Sequence, residues 1–391
     1  KIDVSGGWHD AGDYGRYVVP GAKTVADLFL SYQSNPGNFG DDLKIPESSN
    51  GIPDILDEAR YELEWMLKMQ DTESGGVYHK VTCANFPGVV MPQDENDELI
   101  ISPISDAATG DFAAVMAMSY DNFKNIDKEF ANKCLESSKK AWDYLNKKSS
   151  LQGFVNPPKI VTGEYGDSKV TDEYLWASAE LYKVTYDKKY ENLLKEKYSN
   201  ECLGLGWADV GSYAVYAYLT TSNDKIDSNL FDTMKTDFIK AADDIVEVSK
   251  NDGYFISMGD HYPWGSNMTV ANNAMLLQMV NSITENSEYV ESARNHMNYL
   301  FGVNPMSICY LTGYGTVSPV STHHRPSQST NTTMVGMLVG GPNSDLQDPY
   351  AKAVLTGEAP AKCYVDNSQS YSCNEITIYW NSPLIYVLTN K

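Results

Sequence analysis

The chain has no Cys-x-x-Cys pair, and its six cysteines, Cys83, Cys134, Cys202, Cys309, Cys363 and Cys373, are scattered over 391 residues. They are too few to staple so long a chain, so they read as buried thiols rather than a disulfide framework. No secretory signal is read within residues 1–391, and no apolar run there is long enough to span a bilayer. No Pro/Ser/Thr linker or low-complexity tract divides the sequence, so residues 1–391 read as one domain. Cations are scarce: 30 Lys and Arg face 52 Asp and Glu, a net charge of −22. A nucleic acid or an anionic membrane needs a basic face that displaces counterions, which excludes both as partners. A neutral polymer is compatible with this charge.

Period-two alternation is confined to short stretches such as Val77–Val81. What fills the chain instead is apolar spacing near 3.6, as in Val25-Leu28-Phe29-Tyr32, Ile52-Ile55-Leu56-Ala59-Leu63-Met66 and Phe238-Ala241-Ile245-Val248. About a dozen helices joined by glycine-rich and aromatic-rich loops imply an all-α solenoid or toroid. Aromatic residues are plentiful, with 7 Trp and 27 Tyr. Sugar rings present flat C–H faces that pack on such side chains. Trp65 and Trp142 sit in amphipathic helical runs and read as core. Trp8, Trp207, Trp264 and Trp380 neighbour turn glycines or carboxylate-bearing segments, where stacking platforms are useful, Trp264 first among them.

The chemistry-bearing feature is a turn near the start, Gly6-Gly7-Trp8-His9-Asp10-Ala11-Gly12-Asp13-Tyr14, answered near the end by Glu375 in Tyr371-Ser372-Cys373-Asn374-Glu375-Ile376-Thr377. Asp10 and Asp13 are three apart with no adjacent lysine. Like charges at that distance split their pKa values and leave one group ionised as a base. Acid/base hydrolysis of a glycosidic bond needs one carboxyl to protonate the leaving oxygen and another to activate water. The plain alternative is an Asp-rich turn that caps a helix or binds calcium.

Around Glu375, the residues Tyr364, Asp366, Tyr371, Thr377, Asn381 and Ser382 fall at fixed intervals. This pattern resembles the C-terminal signature of glycoside hydrolase family nine, the inverting cellulases. The stretch from Asp3 to Tyr14 is similar to that family's N-terminal motif. Further likenesses run through the chain, among them Asp172-Glu173-Tyr174-Leu175-Trp176-Ala177, Tyr262-Pro263-Trp264-Gly265-Ser266-Asn267 and His323-His324-Arg325. Val317 and Thr322 depart from it, standing where relatives more often carry a polar residue and an aliphatic residue or proline.

The resemblance implies an (α/α)6 barrel with an open cleft formed by loops at one end. It makes Asp13 the catalytic base, Asp10 its partner in holding the nucleophilic water, and Glu375 the general acid. His323 and Arg325 would contact sugar hydroxyls, with Tyr371, Trp264, Trp8, Trp207 and Trp380 lining the path of the substrate. The activity implied is endo-acting cleavage of β-1,4-glucosidic bonds in cellulose or a soluble β-glucan, with inversion at the anomeric carbon. An exo-acting cellobiohydrolase would share these residues and differ in a loop closing one cleft end. A noncatalytic glucan-binding protein would be expected to lack one of the carboxylates.

No cofactor is implied for the chemistry. In some relatives a structural calcium sits before the matching Asp-Glu pair, which points to Ser168, Asp172, Glu173 and Asp209. Asp172 and Glu173 would equally make an ordinary acidic first helical turn. Some relatives carry a structural zinc; His79 and Cys83 have four-residue spacing, but no full ligand set stands out, and the adjacent His323 and His324 cannot readily face one metal. The family usually has a helix-bearing segment before the Gly-Gly-Trp turn, so the chain reads as trimmed, with appended binding or docking modules expected outside it. A polymeric substrate implies secretion to the extracellular medium.

Overall fold

The computed structural model describes residues 2–201, 203–222 and 224–390. Long helices follow one another in pairs: α1 (Val18–Ser34) and α2 (Asp54–Lys68), α3 (Asp106–Phe123) and α4 (Lys128–Asn146), α5 (Thr171–Thr185) and α6 (Lys188–Lys197), α7 (Gly211–Leu219) and α8 (Ser228–Lys250), α9 (Ser266–Thr284) and α10 (Ser287–Leu300). Three short helices come next, α11 (Arg325–Thr330), α12 (Pro349–Leu355) and α13 (Tyr371–Asn374), before α14 (Ile378–Thr389). The short ones lie in the region where no sustained 3.6-residue stripe marks the sequence.

The first helix of each pair is buried nearly all round. In α1 every residue from Val18 to Ser31 is buried, and in α3 every residue from Asp106 to Ser119. Second helices such as α4 and α8 bury one stripe only, Phe130-Cys134-Leu135-Ser138-Ala141 in α4 and Leu230-Met234-Phe238-Ala242 in α8. That contrast separates an inner ring from an outer one. α1 packs on α3, α3 on α5, α5 on α7, α9 on α14, and α14 returns to α1, while α2, α4, α6, α8 and α10 each pack outside their partners. The architecture is an (α/α)6 barrel.

Close approach inside the ring depends on a small residue at Gly110, where a Cβ would come to 2.7 Å from the Cβ of Glu173 on α5. Asp27 of α1 ties the ring together across the barrel. It accepts from Lys23 Nζ (2.6 Å), from Tyr213 Oη of α7 (2.5 Å) and from Ser382 Oγ of α14 (2.6 Å). Lys23 and Asp27 are wholly buried, and three donors to one carboxylate offset the desolvation that such a pair suffers.

The extended segment expected over Val77–Val81 is split. β2 (Val77–Tyr78) pairs with β5 (Ile104–Ser105), and β3 (Lys80–Thr82) pairs with β1 (Arg16–Tyr17) and β4 (Ile100–Ile101), all antiparallel. His79 breaks the run because its backbone bonds elsewhere: its carbonyl accepts from Val18 N–H (3.1 Å) and its N–H donates to the Pro103 carbonyl (3.1 Å). These strands anchor the start of α1 and, with it, the carboxylate turn just before.

Candidate active site

The N-terminal turn folds on itself before β1 begins. Asp10 N–H donates to the Gly15 carbonyl and Gly15 N–H to Asp13 Oδ2, each at 3.0 Å. Arg16 holds the preceding segment by donating to the carbonyls of Val4 and Gly6, each at 2.6 Å. Asp10 and Asp13 end up buried, 2% and 5% exposed, although both carry a carboxyl.

Glu375 occupies an extended joint between two helices. It is the C-cap of α13, and Thr377 two residues on caps α14 by accepting from Trp380 N–H (3.1 Å). The joint runs parallel to His323, whose N–H donates to the Asn374 carbonyl (2.8 Å). Main-chain bonds then lock joint and turn together. Ile378 N–H donates to the Asp10 carbonyl (2.9 Å), Arg325 N–H to the Gly12 carbonyl (3.0 Å), and Gly12 N–H to Glu375 Oε1 (3.4 Å). Asp10, Asp13, Glu375, His323 and Arg325 therefore line one cavity of about 750 Å³.

The electrostatics separate the three carboxyls. Burial and the repulsion of Asp13 and Asp10 push Glu375 well above the ordinary carboxylate range. Burial also raises Asp10, to about 8, while a 2.5 Å hydrogen bond from Tyr165 Oη opposes the shift. Burial raises Asp13 too, but the Gly15 N–H and the positive charge of Arg325 act to keep it ionised. Asp10 Oδ1 is buried with no hydrogen-bond partner, leaving one oxygen to hold a further donor. His323 donates its Nδ1–H to the Ser368 carbonyl (2.6 Å), which leaves Nε2 as an acceptor, and burial keeps the ring neutral. Arg325 is fixed by donation from Nε to the Pro87 carbonyl (2.8 Å).

Aromatic side chains form the walls. Trp264, 38% exposed, lies against Tyr371 with ring centres 5.4 Å apart, and both line the cavity. Trp207 and Trp380 line it as well. Trp380 is almost fully buried because Gly265 and Gly340 let the backbone close on its ring.

Trp8 corrects the expectation. Gly6 and Gly7, with φ of +88° and +80°, carry the chain over the Trp65 ring and turn Trp8 toward α2. There Glu62 accepts from its N–H (2.6 Å) and Glu58 from its indole (3.3 Å), and its ring lines a separate apolar groove. Tyr165 is the main residue that sequence reasoning missed. It lies 155 positions from Asp10, and a tyrosine between Gly163 and Gly166 carries no signal that ties it to a carboxylate.

The residues of the two cation-binding expectations sit in different surroundings. His79 has both ring nitrogens engaged, with Ser105 Oγ and the Glu164 carbonyl each at 2.8 Å, and Cys83 Sγ donates to Glu95 (3.2 Å). Asp172 and Glu173 are buried beside Asp111 and Asp167; burial raises all four, and repulsion within the group adds to the shift of Asp111, Asp172 and Glu173, Asp172 reaching about 6. Asp172 Oδ2 accepts from Val210 N–H (2.9 Å) and a protonated Glu173 shares hydrogen bonds with Asp167 and Asp172, while neither oxygen of Asp111 has a partner. An acidic first turn exposed to solvent would not bury such oxygens; protons shared between the carboxyls, or a hard cation in their place, would satisfy them. Ser168 and Asp209 are exposed beside this group, and the charge of Asp209 helps raise Asp167. A second acidic trio, Asp41, Asp54 and Asp57, brings one oxygen from each within 4.8 Å of the others. Its carboxylates accept from Ser49, Gly51, Leu43, Ser48 and Asn50 and so staple their own loop.

Residues 1–388 match the family model described as Glycosyl hydrolase family 9. Endoglucanase D of Acetivibrio thermocellus is 36% identical over 400 residues, which cover 99% of this chain and 61% of that protein. A cellodextrinase of Butyrivibrio fibrisolvens is 36% identical over 411 residues, 99% of this chain and 74% of that one. Among solved structures, a thermostable endoglucanase (D468A mutant) from Alicyclobacillus acidocaldarius superposes with a TM-score of 0.94 at 38% identity, covering 99% of this chain and 75% of that one.

Proposed function

Because the chain belongs to glycosyl hydrolase family 9, we propose that it hydrolyses internal β-1,4-glucosidic bonds of cellulose or a related soluble β-glucan, with inversion at the anomeric carbon. The observation that carries this reading is the convergence of Asp10, Asp13 and Glu375 on one aromatic-walled cavity, where burial and the neighbouring charges push Glu375 toward its protonated form. Glu375 donates its proton to the departing glycosidic oxygen. Asp13, which Arg325 favours as the ionised partner, takes a proton from water attacking the opposite face of the sugar. Asp10, bonded through Oδ2 to Tyr165, uses its unpartnered Oδ1 to hold that water. No covalent glycosyl-enzyme forms.

The neutral His323 offers Nε2 to a sugar hydroxyl, and Trp264 and Tyr371 offer ring faces to neighbouring sugars. Binding away from the cut helps distort the reacting ring, which raises the rate at the cut itself. A structural calcium is proposed among Asp172, Glu173, Asp111 and Asp167, with Ser168 and Asp209 at its rim. Its role is charge neutralisation between α3 and α5, not chemistry. No helix among the described residues is long and apolar enough to cross a membrane, and a polymeric substrate would place the work outside the cell.

The test is a soluble cellulose derivative incubated with the protein while viscosity and new reducing ends are followed together. Internal cutting predicts a steep fall in viscosity per end released. A proportionate, slow fall would overturn the endo assignment, and no release of ends from any β-1,4-glucan would overturn the enzyme.

A further inference from the structure

Three consecutive carbonyls of one loop are captured by the side chains of two adjacent residues. Lys80 Nζ donates to the Thr162 carbonyl (3.3 Å), the Thr162 hydroxyl (3.1 Å) and the Gly163 carbonyl (2.6 Å). His79 Nε2 donates to the Glu164 carbonyl (2.8 Å). A carbonyl can only accept, so Nε2 carries the proton and Nδ1 accepts from Ser105 Oγ (2.8 Å), while the ring stacks on Phe154 at 3.7 Å. Both side chains are completely buried. Packing alone would be met by apolar residues without the desolvation that a lysine and a histidine incur.

The residue after the captured carbonyls is Tyr165. It stands at φ +45°, a region a tyrosine occupies only when its surroundings hold it there. Tyr17, Trp207 and Tyr379 box its ring, with centres 4.9, 5.1 and 5.9 Å away, and its hydroxyl meets Asp10.

We propose that His79 and Lys80 are positioning residues for the hydrolysis, fixing carbonyls 162 to 164 so that the Tyr165 hydroxyl stays on Asp10 Oδ2 and Asp10 Oδ1 stays turned to the attacking water. The proposal rests on the reading of this cavity as a glycosidase site. A loop staple with no link to the chemistry would alter melting without altering how Tyr165 and Asp10 interact.

A double-mutant cycle in the full chain separates the two. Lys80→Met and Tyr165→Phe should each lower kcat on a soluble β-glucan, by up to about 10²-fold, with little change in KM, since a small misplacement costs that much in a positioned site. The double variant should lose no more than the worse single one; losses that multiply would overturn the proposal. If Lys80→Met melts below the assay temperature, His79→Gln carries the same cycle. A substrate-free arm follows the ¹³C titration of the Asp10 carboxyl. Tyr165→Phe should raise its midpoint and the Lys80 or His79 variant should shift it the same way; an unmoved midpoint in that variant contradicts positioning whether or not the protein cleaves a glucan. Wild-type protein inert on every β-1,4-glucan, with the midpoints moving as stated, would defeat the enzymatic reading alone.

Discussion

Gly12 N–H donates to Glu375 Oε1 at 3.4 Å, joining positions 363 residues apart in the chain. The residue next to the proposed base thus holds the proposed acid. A side chain at position 12 would overlap the His323 carbonyl oxygen and press on Glu375 Oε1 at 3.2 Å. Gly12→Ala should therefore fold, with a lowered melting temperature, and lose on the order of 10²-fold in kcat. Unchanged kinetics would show that the contact does not set the Glu375 carboxyl.

Glu375→Gln keeps the shape of the side chain and cannot give up a proton. Activity on β-glucans should fall by about 10²–10⁴-fold while oligosaccharide binding, read by calorimetry, survives. Near-normal turnover would remove Glu375 from its role.

Asp13→Asn should be as damaging as Glu375→Gln, and Asp10→Asn less so, because Arg325 favours the ionised form of Asp13 whereas Asp10 is raised to about 8. Turnover numbers for the two variants decide it. If only Asp10→Asn inactivates, base and helper are reversed.

The turn and Glu375 were recognisable in the sequence because their residues lie close together within each motif. An all-α toroid was recognisable from apolar spacing near 3.6 in segments such as 25–32 and 238–248, and the resemblance narrowed it to the barrel; the contrast between the inner α1 and the outer α8 appears only in the folded chain. Tyr165 was not recognisable, since its link to Asp10 exists only after the loop is folded under His79 and Lys80. Trp8 misled because its proximity in sequence to Asp10 says nothing about which way two positive-φ glycines turn the chain. The acidic pair Asp172-Glu173 was visible, but Asp111 and Asp167 join it only when α3 packs on α5.

Calcium carries a pH signature whose sign follows from the raised carboxyls. Free carboxylic acids in the unfolded chain ionise near pH 4 (roughly 3.9 for Asp and 4.3 for Glu), whereas folded Asp111, Asp172 and Glu173 retain protons to higher pH. Metal-free protein should thus lose stability as pH rises from about 4 through the folded values. Calcium needs the ionised forms, so its stabilising effect should grow across that window. Melting scans at pH 5 and pH 8, with chelator and with calcium, should show the larger calcium increment at pH 8. Glu173→Gln should shrink that increment, and identical melting with and without calcium at pH 8 would rule the site out.

The most direct test of the mechanism is the configuration of the first product. With Glu375 as acid and Asp13 activating water on the opposite face, no glycosyl-enzyme intervenes, and the two carboxyls should stand about 6.5–9.5 Å apart to admit that water. Proton NMR of a β-1,4-linked oligosaccharide during its first minutes of hydrolysis should show the α-anomer before mutarotation mixes the signals. A β-anomer appearing first would contradict inversion and the assignment of Asp13 as base.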